Sequence, residues 1–248
     1  YLENMQPARS RGTVAKCLSR AEVESRLEKL CRIRGEEGLN KLRDAARGLS
    51  CELGMEAEFD ALAGVIGAIL SSRPAESLRH PAARARAMGQ PYDPDRVGLF
   101  HALFGELKSS ELDMAVENRT SADEVRNLAF FEAYFSNYIE GTEFELEEAR
   151  EICFENRIPR ERPVDAHDIL GTFRVVSDPA QMGRVPRSIE SFVDMLRDRH
   201  ATVMAAHTGV RPGVFKEKPN RAGETQFVDP ELVRGTLGHA FDLLQGLE

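Results

Sequence analysis

The residues whose types and spacing best suit chemistry lie at positions 136–141. Ser136 and Glu140 are four residues apart, so on a helix they project from one face, and Gly141 favours a left-handed helix end. A carboxylate in the last helical turn faces the negative end of the helix dipole, which costs about 0.3–1 kcal/mol where it is exposed. The position of Glu140 at the helix end therefore predicts a cationic partner for its carboxylate. Arginine is the preferred partner, because a guanidinium pairs with a carboxylate through two parallel hydrogen bonds. The alternative interpretation is a solvated glutamate at a frayed helix end.

Aromatic residues are concentrated immediately before this helix end. Positions 130–138 hold five aromatic residues of the 17 (4 Tyr and 13 Phe) in the chain. Aromatic side chains bury large apolar areas, so this density predicts that the helix packs deeply against a core.

Two of the six histidines could in principle share a metal ion. His200 and His207 are seven residues apart, which is two turns along one helical face. The sequence offers no carboxylate or other third ligand at matching spacing, so we predict ordinary surface or helix-end histidines and no metal site. The sequence also contains no phosphate-binding loop, no G-x-G-x-x-G, no H-E-x-x-H and no G-x-S-x-G motif.

The composition indicates which partners and which cellular compartment the protein has. The 248 residues include 33 basic and 41 acidic side chains, a net charge of −8, which disfavours binding to nucleic acid because phosphate backbones are repelled. No apolar run approaches the roughly 18 residues that a membrane span needs, so no membrane interaction is predicted. The four cysteines are scattered and form no C-x-x-C pair, which is typical of reduced thiols and predicts a cytoplasmic protein.

Helix signals dominate the chain. Three capping boxes, each a Ser or Thr followed three residues later by Glu, predict helix starts at Ser19, Ser121 and Thr142. Apolar residues at helical spacing predict further helices over about 39–49, 59–70, 94–107, 165–176, 189–209 and 230–244. A break is predicted at 35–38, and the polar, aperiodic segment 108–120 is predicted to be a loop.

One region has the pattern of a β-hairpin. Residues 214–218 and 224–228 are predicted strands flanking the turn-rich segment 219–223, within a hairpin of about 213–228. The predicted fold is therefore all-α with one hairpin. We divide it into an N-terminal helical extension, 1–120, and a second helical domain, 121–248, that carries the hairpin.

The order of these features resembles the Fic family of protein adenylyltransferases. Ser136-x-x-x-Glu140-Gly141 matches the family's [S/T]-x-x-x-E-[G/N] inhibitory motif, and residues 142–152 look like the segment that follows it. The hairpin, with Phe215 and Lys216 before its turn and Phe227 and Val228 after it, resembles the family's flap. Segment 168–173 and the helix from Ser188 fall where the helices before that flap belong. The resemblance covers about residues 121–248 and implies a Fic-like helical domain.

The resemblance implies an activity and a way of restraining it. In the family, the inhibitory glutamate pairs with the second arginine of the signature H-P-F-x-[D/E]-G-N-G-R-x-x-R and occupies space that the ATP γ-phosphate needs. Glu140 would have this role, Ser136 would orient the helix end and Gly141 would permit the sharp exit. The implied reaction transfers AMP from Mg²⁺-bound ATP to a Ser, Thr or Tyr hydroxyl of a target protein. The flap would dock that target by strand addition.

The signature itself occurs nowhere in the 248 residues. In the family it follows the flap and one further helix, so the expected catalytic loop would lie beyond residue 248, and no catalytic residue can be named. A homo-oligomer is compatible with the resemblance. The alternative is a non-catalytic helical interaction module, similar to an antitoxin, that supplies the inhibitory Glu140 to the active site of another chain.

Overall fold

The computed structural model describes residues 1–6, 18–111 and 121–245. Its helices and strands, in chain order, are α1 Leu2–Met5, α2 Arg20–Leu53, α3 Glu56–Ile69, α4 Pro81–Ala87, α5 Pro94–Ser109, α6 Ala122–Ile139, α7 Leu146–Glu155, α8 Pro163–Val176, α9 Pro179–Met182, α10 Ile189–Val203, β1 Arg221–Ala222, β2 Thr225–Gln226 and α11 Val233–Gln245. Short 3₁₀ turns lie at Ala75–Ser77, Thr208–Val210 and Pro230–Leu232. The protein is mostly helical with one two-stranded antiparallel hairpin among the described residues, which confirms the predicted all-α class with a hairpin.

The chain forms two compact units. Tyr1–Leu107 and Lys218–Glu248 form the first unit, and Lys108–Glu217 forms the second. The sequence analysis grouped the hairpin and the last helix with residues 121–217, whereas in the structure they share a unit with residues 1–107.

The core of the first unit lies between α2 and α3. Val23, Leu27 and Leu39 of α2 and Leu62 and Ile66 of α3 are fully buried. The helix begins at the predicted capping box, where Ser19 and Glu22 bond each other's backbone N–H. The predicted break is also present, because Gly35 has a φ of 65° and interrupts the helical run.

The core of the second unit is built from α6, α7 and α8. Its buried side chains include Phe130 of α6, Ile152 of α7, and Ile169 and Phe173 of α8. The Ser121 and Glu124 capping box starts α6 as predicted. α10 packs on α8 but ends at Val203, so the predicted extension towards Gly209 is wrong.

Three further predictions of local structure need correction. Thr142 starts no helix, because α7 begins at Leu146 and the residue before it, Glu145, makes no side-chain cap. The first hairpin strand is 221–222, so the predicted strand at 214–218 is wrong, whereas the second strand, 225–226, lies within the predicted 224–228 and is shorter. The predicted loop at 108–120 begins as the last turn of α5, and residues 112–120 lie outside the described part of the chain.

Cys31, Cys51 and Cys153 are free thiols, as predicted, and Cys17 lies outside the described residues. In the native protein at pH 8, we expect a thiol reagent to modify the exposed Cys51 and to spare Cys153. Burial raises the pKa of the Cys153 thiol to about 12, so only about one molecule in 10⁴ carries the reactive thiolate at that pH. Mass spectrometry of alkylated peptides, with and without urea, measures this difference. Equal native labelling of the two thiols would contradict the buried environment of Cys153.

Candidate functional site

The candidate site is the C-terminal end of α6 and the turn that follows it. Glu140 is the residue after the last helical turn, and its backbone N–H donates to the carbonyls of Ser136 and Asn137, at 3.3 and 3.1 Å. Gly141 has a φ of 94°, a conformation that side-chain-bearing residues rarely adopt, as predicted for this position. The Thr142 N–H donates a hydrogen bond back to the Asn137 carbonyl at 2.9 Å, so backbone hydrogen bonds alone close the turn.

A buried asparagine fixes this helix end to α8. The Asn137 side chain is 6% exposed. Its Nδ2 donates to the Ala133 carbonyl at 2.9 Å and to Thr172 Oγ1 at 3.4 Å. Thr172 Oγ1 in turn donates to the Asp168 carbonyl at 3.0 Å. The sequence analysis missed Asn137, although its spacing from the buried Phe130 and Ala133 places it on the core face of the helix.

Ser136 and Glu140 both lie in solvent. Among the residues that the structure describes, Glu140 has no ion-pair partner, so the arginine that its position predicts is not found there. The structure thus shows a solvated carboxylate beside a firmly held turn. Such a carboxylate is accessible to a cation supplied from elsewhere.

The helix that carries the site is less buried than predicted. Phe130 is buried, but Phe131, Phe135, Tyr138 and Ile139 are 42%, 55%, 47% and 83% exposed. These four residues, here called the exposed aromatic face, recur at helical spacing along one side of α6, next to Ser136 and Glu140. Phe131 and Phe135 stack on each other, with ring centroids 6.1 Å apart. The predicted deep packing is therefore correct for Phe130 and wrong for the exposed aromatic face.

The sequence that carries the exposed aromatic face is acidic between Arg126 and Arg150. Residues 127–149 contain six glutamates and no Lys, Arg or His. Burial of the aromatic face would favour a partner surface that is apolar, and the glutamates would favour a partner that also carries basic groups.

The four predicted docking residues lie outside the two hairpin strands. Phe215 and Lys216 lie in an irregular segment of the second unit, whereas Phe227 and Val228 directly follow β2 in the first unit. In the hairpin, Arg221 is opposite Gln226 and Ala222 is opposite Thr225. Gly223, with a φ of 55°, forms the tight turn. Both strands are exposed along their length.

His200 and His207 do not form a pair on one helix, because His207 lies beyond the end of α10. The His200 Nδ1 accepts a hydrogen bond from the Gly213 N–H at 2.9 Å, and the His207 Nε2 lies 2.7 Å from the Asp168 Oδ1. Within the described ranges, no group of three or more His, Cys, Asp or Glu side chains could hold a metal ion. No described helix is both long and apolar enough to cross a membrane.

Two buried acidic residues of the first unit, Glu24 and Glu28, were also not predicted from the sequence. Glu24 is fully buried and accepts hydrogen bonds from the N–H groups of Arg79 and His80. Glu28 is 2% exposed and pairs with Arg86 at 3.1 Å. Their partners lie 55 to 58 residues further along the chain, so no local sequence pattern predicts these contacts. Both carboxylates bond α2 to α4 or to the residues just before α4, so we infer that they stabilise the fold of the first unit.

Comparisons of the chain with family models, with curated proteins and with solved structures gave no match.

Proposed function

We propose that the chain is the inhibitory and target-docking part of an autoinhibited protein adenylyltransferase, with its catalytic loop beyond residue 248. One observation carries this proposal: Glu140 presents a solvated carboxylate, without an ion-pair partner in the described part of the chain, on a turn whose backbone is held firmly. The resemblance of Ser136, Glu140 and Gly141 to the Fic inhibitory motif gives that carboxylate its role. The mostly helical fold with one hairpin is compatible with the resemblance.

The proposed inhibition is electrostatic and steric. Glu140 would pair with an arginine of the catalytic signature and so remove that arginine from the triphosphate of ATP. The carboxylate would also repel the γ-phosphate, so ATP would not be held in line with the attacking hydroxyl. The exposed aromatic face supports this arrangement, since its burial against the catalytic part would hold Glu140 in place. The described residues provide no metal-binding cluster, and the ligands of the Mg²⁺ that accompanies ATP would come from the catalytic signature.

The test is the Glu140→Gly substitution in the full gene product. With α-³²P-labelled ATP and Mg²⁺, we expect AMP incorporation into protein to increase about tenfold or more, because loss of a desolvated charge pair changes an equilibrium by at least that factor. Glu143→Gly is the matched control, since Glu143 is another exposed glutamate just beyond the same helix and should leave incorporation at the wild-type level. Equal incorporation by wild type and Glu140→Gly would show that Glu140 does not inhibit.

The second candidate function is a non-catalytic module that offers Glu140 to another chain. The exposed aromatic face beside the acidic turn favours it, because such a surface suits a separate basic and apolar partner. The full gene product distinguishes the two. If it carries no signature, and no AMP transfer is detected with Glu140→Gly, the interaction module becomes the preferred function.

A further inference from the structure

The last helix, α11, belongs to the same compact unit as residues 1–107. Thr236 and Phe241 of α11 are buried, and Leu232 of the 3₁₀ turn before it is 1% exposed. The sequence analysis gave the N-terminal extension, residues 1–120, no role. The contacts that this part of the chain makes with α11 point to one.

The first turn of α11 lies directly against the backbone of the turn between α4 and α5. A Cβ added to Gly235 would lie 2.3 Å from the Pro91 carbonyl oxygen and 3.1 Å from the Gln90 carbonyl oxygen. Real Cβ atoms essentially never make contacts under 3.0 Å, so this approach requires glycine. Nothing lies within 4 Å of a Cβ added to Gly238 of the same helix. The close contact is therefore specific to Gly235.

The neighbouring residue, Thr236, connects α11 to the rest of the unit through its buried hydroxyl. Thr236 Oγ1 accepts a hydrogen bond from the Asp93 N–H at 2.9 Å and donates to the Leu232 carbonyl at 2.7 Å. Asp93 is itself fixed, because its Oδ1 accepts from Arg32 of α2 at 2.9 Å and from the Asp95 N–H of α5 at 3.0 Å. The start of α11 is therefore bonded through Asp93 to both α2 and α5.

The segment that leads into α11 is held at two further points. Arg86 of α4, whose side chain is 12% exposed, pairs with the buried Glu28 of α2 at 3.1 Å and with Glu231 at 3.3 Å. Arg96 of α5 donates to the Gln226 carbonyl at 2.6 Å. Residues of α2, α4 and α5 thus fix the chain on both sides of the 3₁₀ turn that precedes α11.

We propose that residues 1–107 position α11, and with it the catalytic loop expected after α11, and that Gly235 is the positioning residue of this contact. The inference rests on the proposed function, because that function places the catalytic signature beyond residue 248. It gives the N-terminal extension a role in the reaction without any contact with the reacting atoms. Transfer in line requires accurate placement, and a displacement of about 1 Å by a distant substitution can cost about 100-fold in rate.

The test is Gly235→Ala in the full gene product carrying Glu140→Gly. Ordinary contact with the Pro91 carbonyl begins at 3.4 Å, so the added Cβ must displace the helix by about 1 Å. Initial rates of AMP incorporation into protein, measured over a range of Mg²⁺-bound ATP concentrations, give kcat and the KM for ATP. We expect kcat to fall about tenfold or more. The KM for ATP should change less than about twofold, because the triphosphate would be held within the catalytic loop itself. Gly238→Ala is the matched control and should retain the kcat of its parent.

A second pair of variants tests the same contact without adding bulk. Thr236→Ser keeps the hydroxyl that bonds Asp93 and should retain kcat. Thr236→Val keeps the shape but leaves the Asp93 N–H without its acceptor, so kcat should fall about threefold or more. Hydrogen exchange should accelerate in α11 peptides and in peptides of residues 88–96 for Gly235→Ala, and stay unchanged in α2 and α3, which separates displacement of α11 from unfolding of the unit.

The outcomes distinguish the two proposals. If the Glu140→Gly protein incorporates no AMP, both the function and the positioning role are overturned. If it does, and Gly235→Ala has the same kcat as Gly238→Ala, the positioning role alone is overturned. A fall in kcat accompanied by faster exchange throughout α2 and α3, or shared equally by Thr236→Ser and Thr236→Val, would likewise leave the adenylyltransferase proposal standing and reject the positioning role.

Discussion

Replacement of Glu24 by alanine is expected to destabilise the first unit by about 1–3 kcal/mol. The Glu24 carboxylate is fully buried and accepts three hydrogen bonds, from Arg20 Nε at 2.7 Å and from the N–H groups of Arg79 and His80 at 2.6 and 2.7 Å. Alanine would leave a cavity, and the N–H groups of Arg79 and His80 would lose their acceptor. Arg20 contributes less to the cost, because its side chain is 28% exposed and water can replace its partner.

Urea unfolding followed by hydrogen exchange of peptides from α2 and α3 measures this loss within the first unit. The control is Glu37→Ala in the same helix, where the side chain is 76% exposed and pairs with Lys41. Exposed pairs of this kind contribute about 0.3–0.5 kcal/mol, so the control should be close to wild type. Glu24→Gln retains one acceptor oxygen and should fall between the two. A Glu24→Ala variant as stable as the control would show that the buried carboxylate is not needed for stability.

Capping-box sequences predicted helix starts correctly where no tertiary contact favoured another conformation. Ser19 and Ser121 both form the capping boxes that their sequences predict. Thr142 and Glu145 have the same pattern, yet the helix begins only at Leu146. The reason is Phe144, which is 5% exposed and lies under the Arg162 guanidinium, 4.1 Å from the ring centroid. Burial of this ring keeps residues 142–145 out of the helix and overrides the local capping preference.

The aromatic residues of α6 show a different limit of sequence reasoning. Their number predicted a buried helix, but only the side that carries Phe130, Ala133 and Asn137 meets α8. Aromatic content reports how much apolar area a helix offers, whereas burial depends on which surfaces are present to cover it. The exposed aromatic face is thus an observation that the structure adds, and it lies next to the candidate site.

The backbone geometry of the candidate site at residues 136–141 was predicted from the sequence. A helix that ends at about Glu140 and a left-handed Gly141 were predicted from local chemistry, and the structure confirms both, with α6 ending at Ile139. The Asn137 anchor, the hydrogen bond from Arg96 to the Gln226 carbonyl and the buried Glu24 depend on contacts 35 to 130 residues apart in the chain. A single sequence contains no information on such pairings until the fold brings them together.

Replacement of Gly171 by alanine is expected to destabilise the second unit by about 2–3 kcal/mol. A Cβ at this position in α8 would lie 2.8 Å from the Thr202 carbonyl oxygen and 2.9 Å from the Val203 Cα of α10. Both contacts are to backbone, which cannot rotate away as a flexible side chain can, so the two helices must separate. This cost exceeds the roughly 1 kcal/mol by which alanine is the better helix former.

Gly105→Ala in α5 is the matched control, because nothing lies within 4 Å of the added Cβ and the same substitution should there raise stability by about 0.5–1 kcal/mol. Urea unfolding monitored by hydrogen exchange gives the sign of each change, from α8 and α10 peptides for Gly171→Ala and from α5 peptides for Gly105→Ala, and a stabilised Gly171→Ala variant would contradict the close helix crossing. The effect should also reach the candidate site, because Gly171 precedes Thr172, the residue that holds Asn137 and the end of α6. We therefore expect faster amide exchange at Glu140 and Gly141 in Gly171→Ala than in the control, which would connect the α8–α10 crossing to the position of the Glu140 carboxylate.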